Sequence, residues 1–216
     1  MTPSMGTCKI NASCIGGFSR MYTLINQLYQ TRPNPISLNA GDNFQGTLWY
    51  NMFKWNVTQF FLNMLPTDAM VTKFETLGNH EFDDGLEGIV PFLKAIRVPV
   101  VLSNIDDALE PSIQNLYKKS IVIEREGKKI GIIGVLTSGT KDVSNTGQLS
   151  FLDEVESINR EARRLLDIEG VFTVIVISHC GFESETKMAK LVTNGISIIV
   201  GGHSNTLLYN GMILYI

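Results

Sequence analysis

The sequence predicts an α/β fold built on a largely parallel sheet, and three observations support this prediction. Apolar segments of strand length alternate with amphipathic segments of helix length along most of the chain. Two apolar runs, Val171–Ile177 and Ile196–Val200, are unbroken, which is typical of central strands that are buried on both faces. One hairpin, Ser120–Ile123 with Ile130–Leu136, interrupts the alternation around Glu126-Gly127.

Before this hairpin, hydrophobic periodicity predicts three helices and two strands. The first helix runs from Gly17 to Gln30, and Pro33 and Pro35 end it. The remaining elements, in chain order, are a strand at Ile36–Ala40, helices at Asn56–Leu65 and Gly85–Ile96, and a strand at Val98–Leu102.

After the hairpin, a capping pattern marks the next helix. Asp153 precedes Glu156 by three residues, which indicates a capped amino terminus for a helix that runs to Ile168. The two unbroken apolar strands follow, and a short helix at Met188–Val192 is predicted between them.

Composition excludes several classes of protein. The 216 residues are 44% hydrophobic and 18% charged, which is typical of a globular domain and excludes disordered and coiled-coil chains. The net charge of −3 is evenly spread and argues against nucleic-acid binding. No apolar run approaches the roughly 18 residues of a membrane span. Met1–Thr7 lacks the pattern of a signal peptide, and we expect a chain truncated at both ends because Gly211–Ile216 reads as an unfinished strand.

Two cysteines and two glycosylation signals bear on the compartment. Cys8 and Cys14 are candidates for a disulfide that closes a small loop, although two reduced thiols would fit the same spacing. Asn11, inside that loop, and Asn56 each begin an acceptor sequence for N-glycosylation. Together these features predict an extracellular protein, secreted or anchored at the surface. Cys180 is predicted to be a small buried residue rather than a nucleophile, because no basic partner is near it in sequence.

Side chains that can bind metals follow three of the predicted strands and one further strand, which ends before Gly78. Asp42 follows the first strand, Asn79 and His80 lie in the segment Gly78–Asp83, and His179 and His203 follow the two buried strands. The chain has three histidines, and all three lie at these positions. Because parallel strands end at one edge of a sheet, we expect these side chains to converge. A structural role is the commoner alternative for a single histidine, but three such positions favour a mixed nitrogen and oxygen site for Zn²⁺ or Mn²⁺.

Three of these segments resemble the signature segments of the 5'-nucleotidase and apyrase family of metallophosphatases. They are Gly41–Thr47, Leu77–Gly85 and Gly201–Thr206, and the Asn-His-Glu-Phe-Asp string within the second is the most specific. The resemblance covers nearly the whole chain. It implies a four-layer α/β/β/α metallophosphatase sandwich with two divalent metals, usually zinc, with manganese or cobalt as alternatives.

The resemblance also implies roles for individual residues. His80 is expected to be the catalytic histidine, oriented by Asp83 and lying outside the coordination shell. The carboxylate of Asp42 is expected to bridge the two metals. The other implied ligands are Asn79, His179 and His203 for the second metal and Asn205 for the first.

Three departures from the family pattern shape the expectations. Family members begin with a strand that ends in Asp-x-His, and no Asp-x-His occurs in this sequence, so the first metal site is expected to be defective. Residues 1–216 are therefore predicted to form a metallophosphatase catalytic domain without its first strand, and without the carboxyl-terminal nucleotide-binding domain. The segment Val71–Glu75 is extra relative to the family and is expected to bulge into the preceding loop, since lysine and glutamate are poor residues for a buried strand.

Two hypotheses about function follow. Under the first, the chain belongs to a secreted 5'-nucleotidase or apyrase that hydrolyses AMP, or ADP and ATP, with metal-activated water. Under the second, it is a catalytically impaired remnant that binds a metal or ligand without turnover. The sequence does not decide between AMP and ADP or ATP, nor does it give the oligomeric state or a lipid anchor.

Overall fold

The computed structural model describes residues 16–65, 73–209 and 212–215. Cys8, Asn11 and Cys14 lie outside the described residues, so the disulfide and the first glycosylation acceptor stay predictions. Asn56 is exposed on a helix surface. Within the described ranges, each helix is too short or too polar to cross a membrane.

Helices and strands alternate through the described part of the chain, as the sequence predicts. The helices are α1 Phe18–Thr31, α2 Leu48–Phe53, α3 Trp55–Met64, α4 Gly85–Ala95, α5 Thr140–Val143, α6 Glu154–Arg163 and α7 Phe182–Met188. The strands are β1 Ser37–Asn39, β2 Lys73–Glu75, β3 Ile105–Asp106, β4 Ser120–Arg125, β5 Lys128–Leu136, β6 Ser150–Phe151, β7 Thr173–His179, β8 Ile196–Val200, β9 Thr206–Tyr209 and β10 Met212–Tyr215.

Two sheets form the centre of the fold. The larger has the strand order β4-β5-β7-β8, in which the β4–β5 hairpin is antiparallel and the remaining pairs are parallel. The smaller joins β1 to β2 in parallel and is extended by single bridges from Glu75 to Val100 and from Val101 to Lys118. The prediction of a largely parallel α/β fold is confirmed.

Three clusters of buried side chains separate four layers. One cluster packs α3 and α4 against the smaller sheet, a second lies between the two sheets, and a third packs α6 and α7 against the larger sheet. On β5, Ile132 faces the middle cluster and its neighbour Ile133 faces the outer one, as the alternation of strand side chains requires. The predicted α/β/β/α layering is therefore confirmed.

The hairpin and the capped helix also agree with the sequence. The strands Ser120–Arg125 and Lys128–Leu136 flank the predicted turn, where Glu126 and Gly127 both have positive φ. The Asp153 carboxylate accepts a hydrogen bond of 2.8 Å from the backbone N–H of Glu156, which caps α6.

Two element predictions are wrong. The helix expected at Met188–Val192 instead spans Phe182–Met188. It begins directly after Gly181, which has φ of +84°, and this start places Glu183 in the first turn, where a negative charge is favourable. The segment Val98–Leu102 makes only single bridges at Val100 and Val101 rather than a continuous strand.

The expected bulge at Val71–Glu75 is also wrong for the residues that the structure describes. Lys73–Glu75 forms β2 and pairs in register with β1. Phe74 is 1% exposed and packs between the sheets, while Glu75 is fully buried and accepts a hydrogen bond from the side chain of Asn43. A polar partner inside the fold thus makes a buried glutamate acceptable in this strand.

Candidate metal centre

The predicted ligands lie at the carboxyl ends of four parallel strands. Asp42 follows β1, Asn79 follows β2, His179 is the last residue of β7, and His203 follows β8. The first two come from the smaller sheet and the last two from the larger sheet. The site therefore spans the junction between the two sheets.

Four of these side chains meet at one point. Nε2 of His179 lies 3.0 Å from a carboxylate oxygen of Asp42, and Nδ1 of His203 lies 3.3 Å from Nε2 of His179. The amide oxygen of Asn79 lies 2.9 Å from the same nitrogen of His203. The candidate ligand atoms of Asp42, His179 and His203 all lie within 4.8 Å of one another. Two imidazole nitrogens and a carboxylate oxygen at this spacing fit a divalent transition metal.

The buried imidazole of His179 is oriented by a second hydrogen bond. Its side chain is almost wholly buried, and its Nδ1 lies 2.5 Å from the backbone carbonyl oxygen of Ala40. A carbonyl can only accept, so Nδ1 carries a proton and Nε2 faces Asp42 and His203. Such an outer hydrogen bond is the usual way in which a metal-binding histidine is held in one tautomer.

Glycines allow the loops that carry these residues to touch through their backbones. A Cβ on Gly41, which has φ of +89°, would lie 2.3 Å from the backbone nitrogen of Gly78. A Cβ on Gly78 would lie 2.2 Å from a carboxylate oxygen of Asp42. Side chains at these two positions would therefore displace the Asp42 loop from the loop of Asn79.

Glu81 holds these two loops together, and sequence reasoning gave it no role. Its fully buried carboxylate accepts backbone N–H bonds from Gly78 at 2.6 Å and from Asp42 at 2.9 Å, and two more from the residues that follow Asp42. Burial and the nearby charge of Asp42 raise the pKa of Glu81, although the N–H bonds oppose this. Its place inside the Asn-His-Glu-Phe-Asp string was the available signal.

His80 and Asp83 form the predicted pair. Nδ1 of His80 lies 2.6 Å from a carboxylate oxygen of Asp83, and the backbone N–H of His80 donates to Asp42 at 3.0 Å. The hydroxyl of Ser144 donates to the second oxygen of Asp83 at 3.1 Å. Partial burial opposes charge on the imidazole, but the bond to Asp83 and the charge of Asp42 outweigh it and raise the pKa of His80.

The cluster itself shifts the pKa values of its members in opposite directions. Burial disfavours the charged form of both Asp42 and His179, yet their mutual hydrogen bond lowers the pKa of Asp42 and raises that of His179. Burial and the adjacent His179 lower the pKa of His203. His203 is therefore the histidine that is most readily neutral, which is the form that binds a metal.

Asn205 is also a predicted ligand, but among the described residues no hydrogen bond joins its side chain to this cluster. It lies two residues after His203, has φ of +52°, and is exposed. Its side chain lines a neighbouring cavity of about 770 Å³ between α7 and β8, and this cavity does not include Asp42 or His179 among its lining residues. Its role as a ligand of the first metal stays a prediction.

Comparison with known proteins agrees with this geometry. Residues 10–206 match the family model described as calcineurin-like phosphoesterase. The chain belongs to the calcineurin-like phosphoesterase family. Among curated relatives, this phosphoesterase chain is 50% identical over 206 residues to an apyrase of Tabanus yao, and 39% identical over 215 residues to a 5'-nucleotidase of Rattus norvegicus. These matches cover 95% and 97% of the chain but 36% of each relative, so the chain spans about a third of their length.

Solved structures give the same picture. A 5'-nucleotidase precursor from Thermus thermophilus superimposes with a TM-score of 0.85 and 37% identity, over 92% of this chain and 38% of that one. The NAD nucleotidase of Haemophilus influenzae superimposes with a TM-score of 0.83 and 33% identity, over 91% of this chain and 38% of that one. The phosphoesterase chain thus has the fold of one part of larger nucleotidases.

Proposed function

We propose that this chain is the metallophosphatase domain of an extracellular nucleotide hydrolase of the apyrase or 5'-nucleotidase type. The observation that carries this proposal is the convergence of Asp42, His179 and His203, from two different sheets, within 4.8 Å. The curated relatives named apyrase and 5'-nucleotidase support nucleotides as the substrate class, and we propose AMP, or ADP and ATP, as the substrates.

The donor set fits a divalent metal, with zinc as the first choice and manganese or cobalt as alternatives. Asp42, Asn79, His179 and His203 would hold it, since they supply two imidazole nitrogens, a carboxylate and an amide oxygen. A bound divalent cation acts as a Lewis acid on phosphoryl oxygens and lowers the pKa of water. A further metal would be held by Asp42 and Asn205, which are the expected ligands of the first metal site of the family. We propose that this first site is incomplete in the 216-residue chain.

His80 is the proposed catalytic histidine. Its side chain is 48% exposed, so it can reach a substrate, while Asp83 fixes its ring through Nδ1. The raised pKa keeps more of the imidazole protonated near neutral pH, and its free Nε2–H can then donate to a phosphoryl oxygen. Asp83 is in turn held by Ser144, so the pair is oriented before substrate binds.

The test is phosphate release from AMP, ADP and ATP by the 216-residue chain with added Zn²⁺, Mn²⁺ or Co²⁺. We expect His80→Ala to lower the rate by about 100-fold or more, which is the usual contribution of a positioned acid or base. Lys141→Ala, which removes an exposed side chain on α5, is the control and should match the wild type.

Two results would overturn the proposal. If the wild type and His80→Ala release phosphate at the same rate, His80 has no catalytic role. If the chain binds the metal and hydrolyses no nucleotide, even after an amino-terminal extension that carries Asp-x-His has been added to complete the first site, the non-enzymatic alternative replaces the hydrolase.

A further inference from the structure

Glu185 joins the two loops that carry the histidines of the cluster. One of its carboxylate oxygens lies 3.2 Å from the backbone nitrogen of Cys180 and 3.3 Å from that of Gly202, and both N–H groups donate to it. Cys180 follows His179 directly, and Gly202 precedes His203 directly. The same carboxylate therefore binds a backbone N–H group of the residue next to each histidine.

This bonding pattern is not that of a simple helix cap. Glu185 lies in the first half of α7, which begins at Phe182, yet both of its donors lie outside the helix. One donor follows β7 and the other follows β8, so the carboxylate connects the ends of two strands. A residue that served only the helix would bond the free N–H groups of its first turn.

Gly201 leaves the space that this carboxylate occupies. A Cβ on Gly201 would lie 1.9 Å from the second carboxylate oxygen of Glu185, so any side chain there would push the carboxylate away. Gly201 is not among the residues with positive φ, so its backbone conformation is compatible with alanine. The need for glycine at this position comes from Glu185 and not from the turn.

We propose that Glu185 is a positioning residue, which sets the separation of His179 and His203 for metal binding by tying together the backbones of the residues beside them, Cys180 and Gly202. This inference rests on the proposed metal site. It adds a residue that binds no metal itself, and it assigns Gly201 the role of making room for it.

The experiment measures Co²⁺ binding to the 216-residue chain by calorimetry and by the visible absorption of the bound ion. We expect Glu185→Ala to weaken Co²⁺ binding by about 10-fold, the lower end of what loss of an outer partner costs a metal site. Glu185→Gln keeps an oxygen that can accept both N–H bonds, so it should bind Co²⁺ within about two-fold of the wild type. Glu183→Ala, an exposed acid on the same helix, is the matched control.

A double-mutant cycle separates this role from a general effect on folding. Gly201→Ala should weaken Co²⁺ binding about as much as Glu185→Ala, and the double variant should be no weaker than Glu185→Ala alone, because both changes remove the same contact. The urea midpoint of each variant in chelator should stay close to that of the wild type, while the absorption of bound Co²⁺ changes.

The outcomes distinguish this inference from the proposed function. A wild type that binds Co²⁺ with the same affinity as Glu185→Ala, or single effects that add in the double variant, would overturn the role of Glu185 and leave the metal site intact. A wild type that binds no Co²⁺ would overturn the metal site, and the role of Glu185 with it. If Glu185→Ala does not fold, Gly201→Ala and Glu185→Gln decide the question.

Discussion

The two halves of the candidate metal centre are built in the same way but differ in depth. On the smaller sheet, the carboxylate of Glu81 is fully buried and accepts four backbone N–H bonds of 2.5 to 3.1 Å from the loops of Asp42 and Asn79. On the larger sheet, the carboxylate of Glu185 is half-buried and accepts two bonds of 3.2 and 3.3 Å.

This difference predicts that the Asp42 half of the site is rigid and that the histidine half can adjust. Removing a buried acceptor of four N–H groups leaves each of them unpaired in the interior, whereas N–H groups near the surface can bind water. We therefore expect the Asp42 half to be part of the folding unit of the domain. The histidine half should be able to change its spacing without unfolding the chain.

The largest expected effect comes from breaking the buried half. Glu81→Ala should lower the free energy of unfolding by more than about 3 kcal/mol, because several buried donors lose their partner at about 1 kcal/mol or more each. Urea denaturation of the metal-free chain at pH 7 measures it. Glu87→Ala, at an exposed position on α4, is the control and should stay within about 0.5 kcal/mol of the wild type. A loss below about 1 kcal/mol for Glu81→Ala would remove the distinction between the halves.

A smaller effect is expected in the pKa values of the three histidines, which lie in both halves of the site. In the presence of a chelator, His80 and His179 should titrate above the ordinary pKa of 6.5 and His203 below it. Nuclear magnetic resonance of the three imidazoles measures this directly. Asp83→Asn should lower the pKa of His80, and Asp142→Asn, which removes an exposed charge on α5, should not. A His203 that titrates above His179 would contradict the arrangement of the cluster.

The sign of the linked stability effect follows from the raised pKa of His80. The bond between the imidazolium and Asp83 stabilises the fold fully below pH 6.5, and this contribution is lost as the pH rises through the higher pKa of the folded state. Because the His80 side chain is about half exposed, solvent limits the contribution to less than about 1 kcal/mol.

The smallest expected effect is on the labelling of Cys180, the residue that directly follows His179. Burial raises the pKa of its thiol to about 12, so very little of the reactive thiolate is present at pH 8. Iodoacetamide should label Cys180 very slowly in the folded chain and rapidly in urea, as peptide mapping would show. Faster labelling in Glu185→Ala would support the view that the histidine half adjusts more easily than the Asp42 half. Rapid labelling of the wild type would show that the histidine half opens without any substitution.

Sequence patterns predicted the features that depend on where strands end and on how hydrophobic residues are spaced. Asp42, Asn79, His179 and His203 could be placed together before the fold was known, because each follows a predicted strand at its carboxyl end. The sequence did not show that these strands belong to two sheets. His80 and Asp83 could be paired because their motif resembles a signature segment of the 5'-nucleotidase and apyrase family.

Interactions with the backbone could not be predicted in this way. Glu81 and Glu185 accept hydrogen bonds from backbone N–H groups, which every residue except proline has, so the positions of these donors leave no mark in the sequence. Glu75 was expected to avoid a buried strand, and only the fold shows that Asn43 donates a hydrogen bond to it. The short helix was misplaced because Met188 and Val192 are spaced as a helix although only Met188 belongs to one.

The layer between the two sheets has a consequence for ion selection. Phe74, Val101 and Ile177 fill this layer, and the ligand pairs stand on opposite sides of it. Its thickness therefore sets the gap between the two pairs of candidate ligands. A larger or smaller apolar side chain in this layer would widen or narrow that gap, so residues outside the candidate site can tune which ion it would fit.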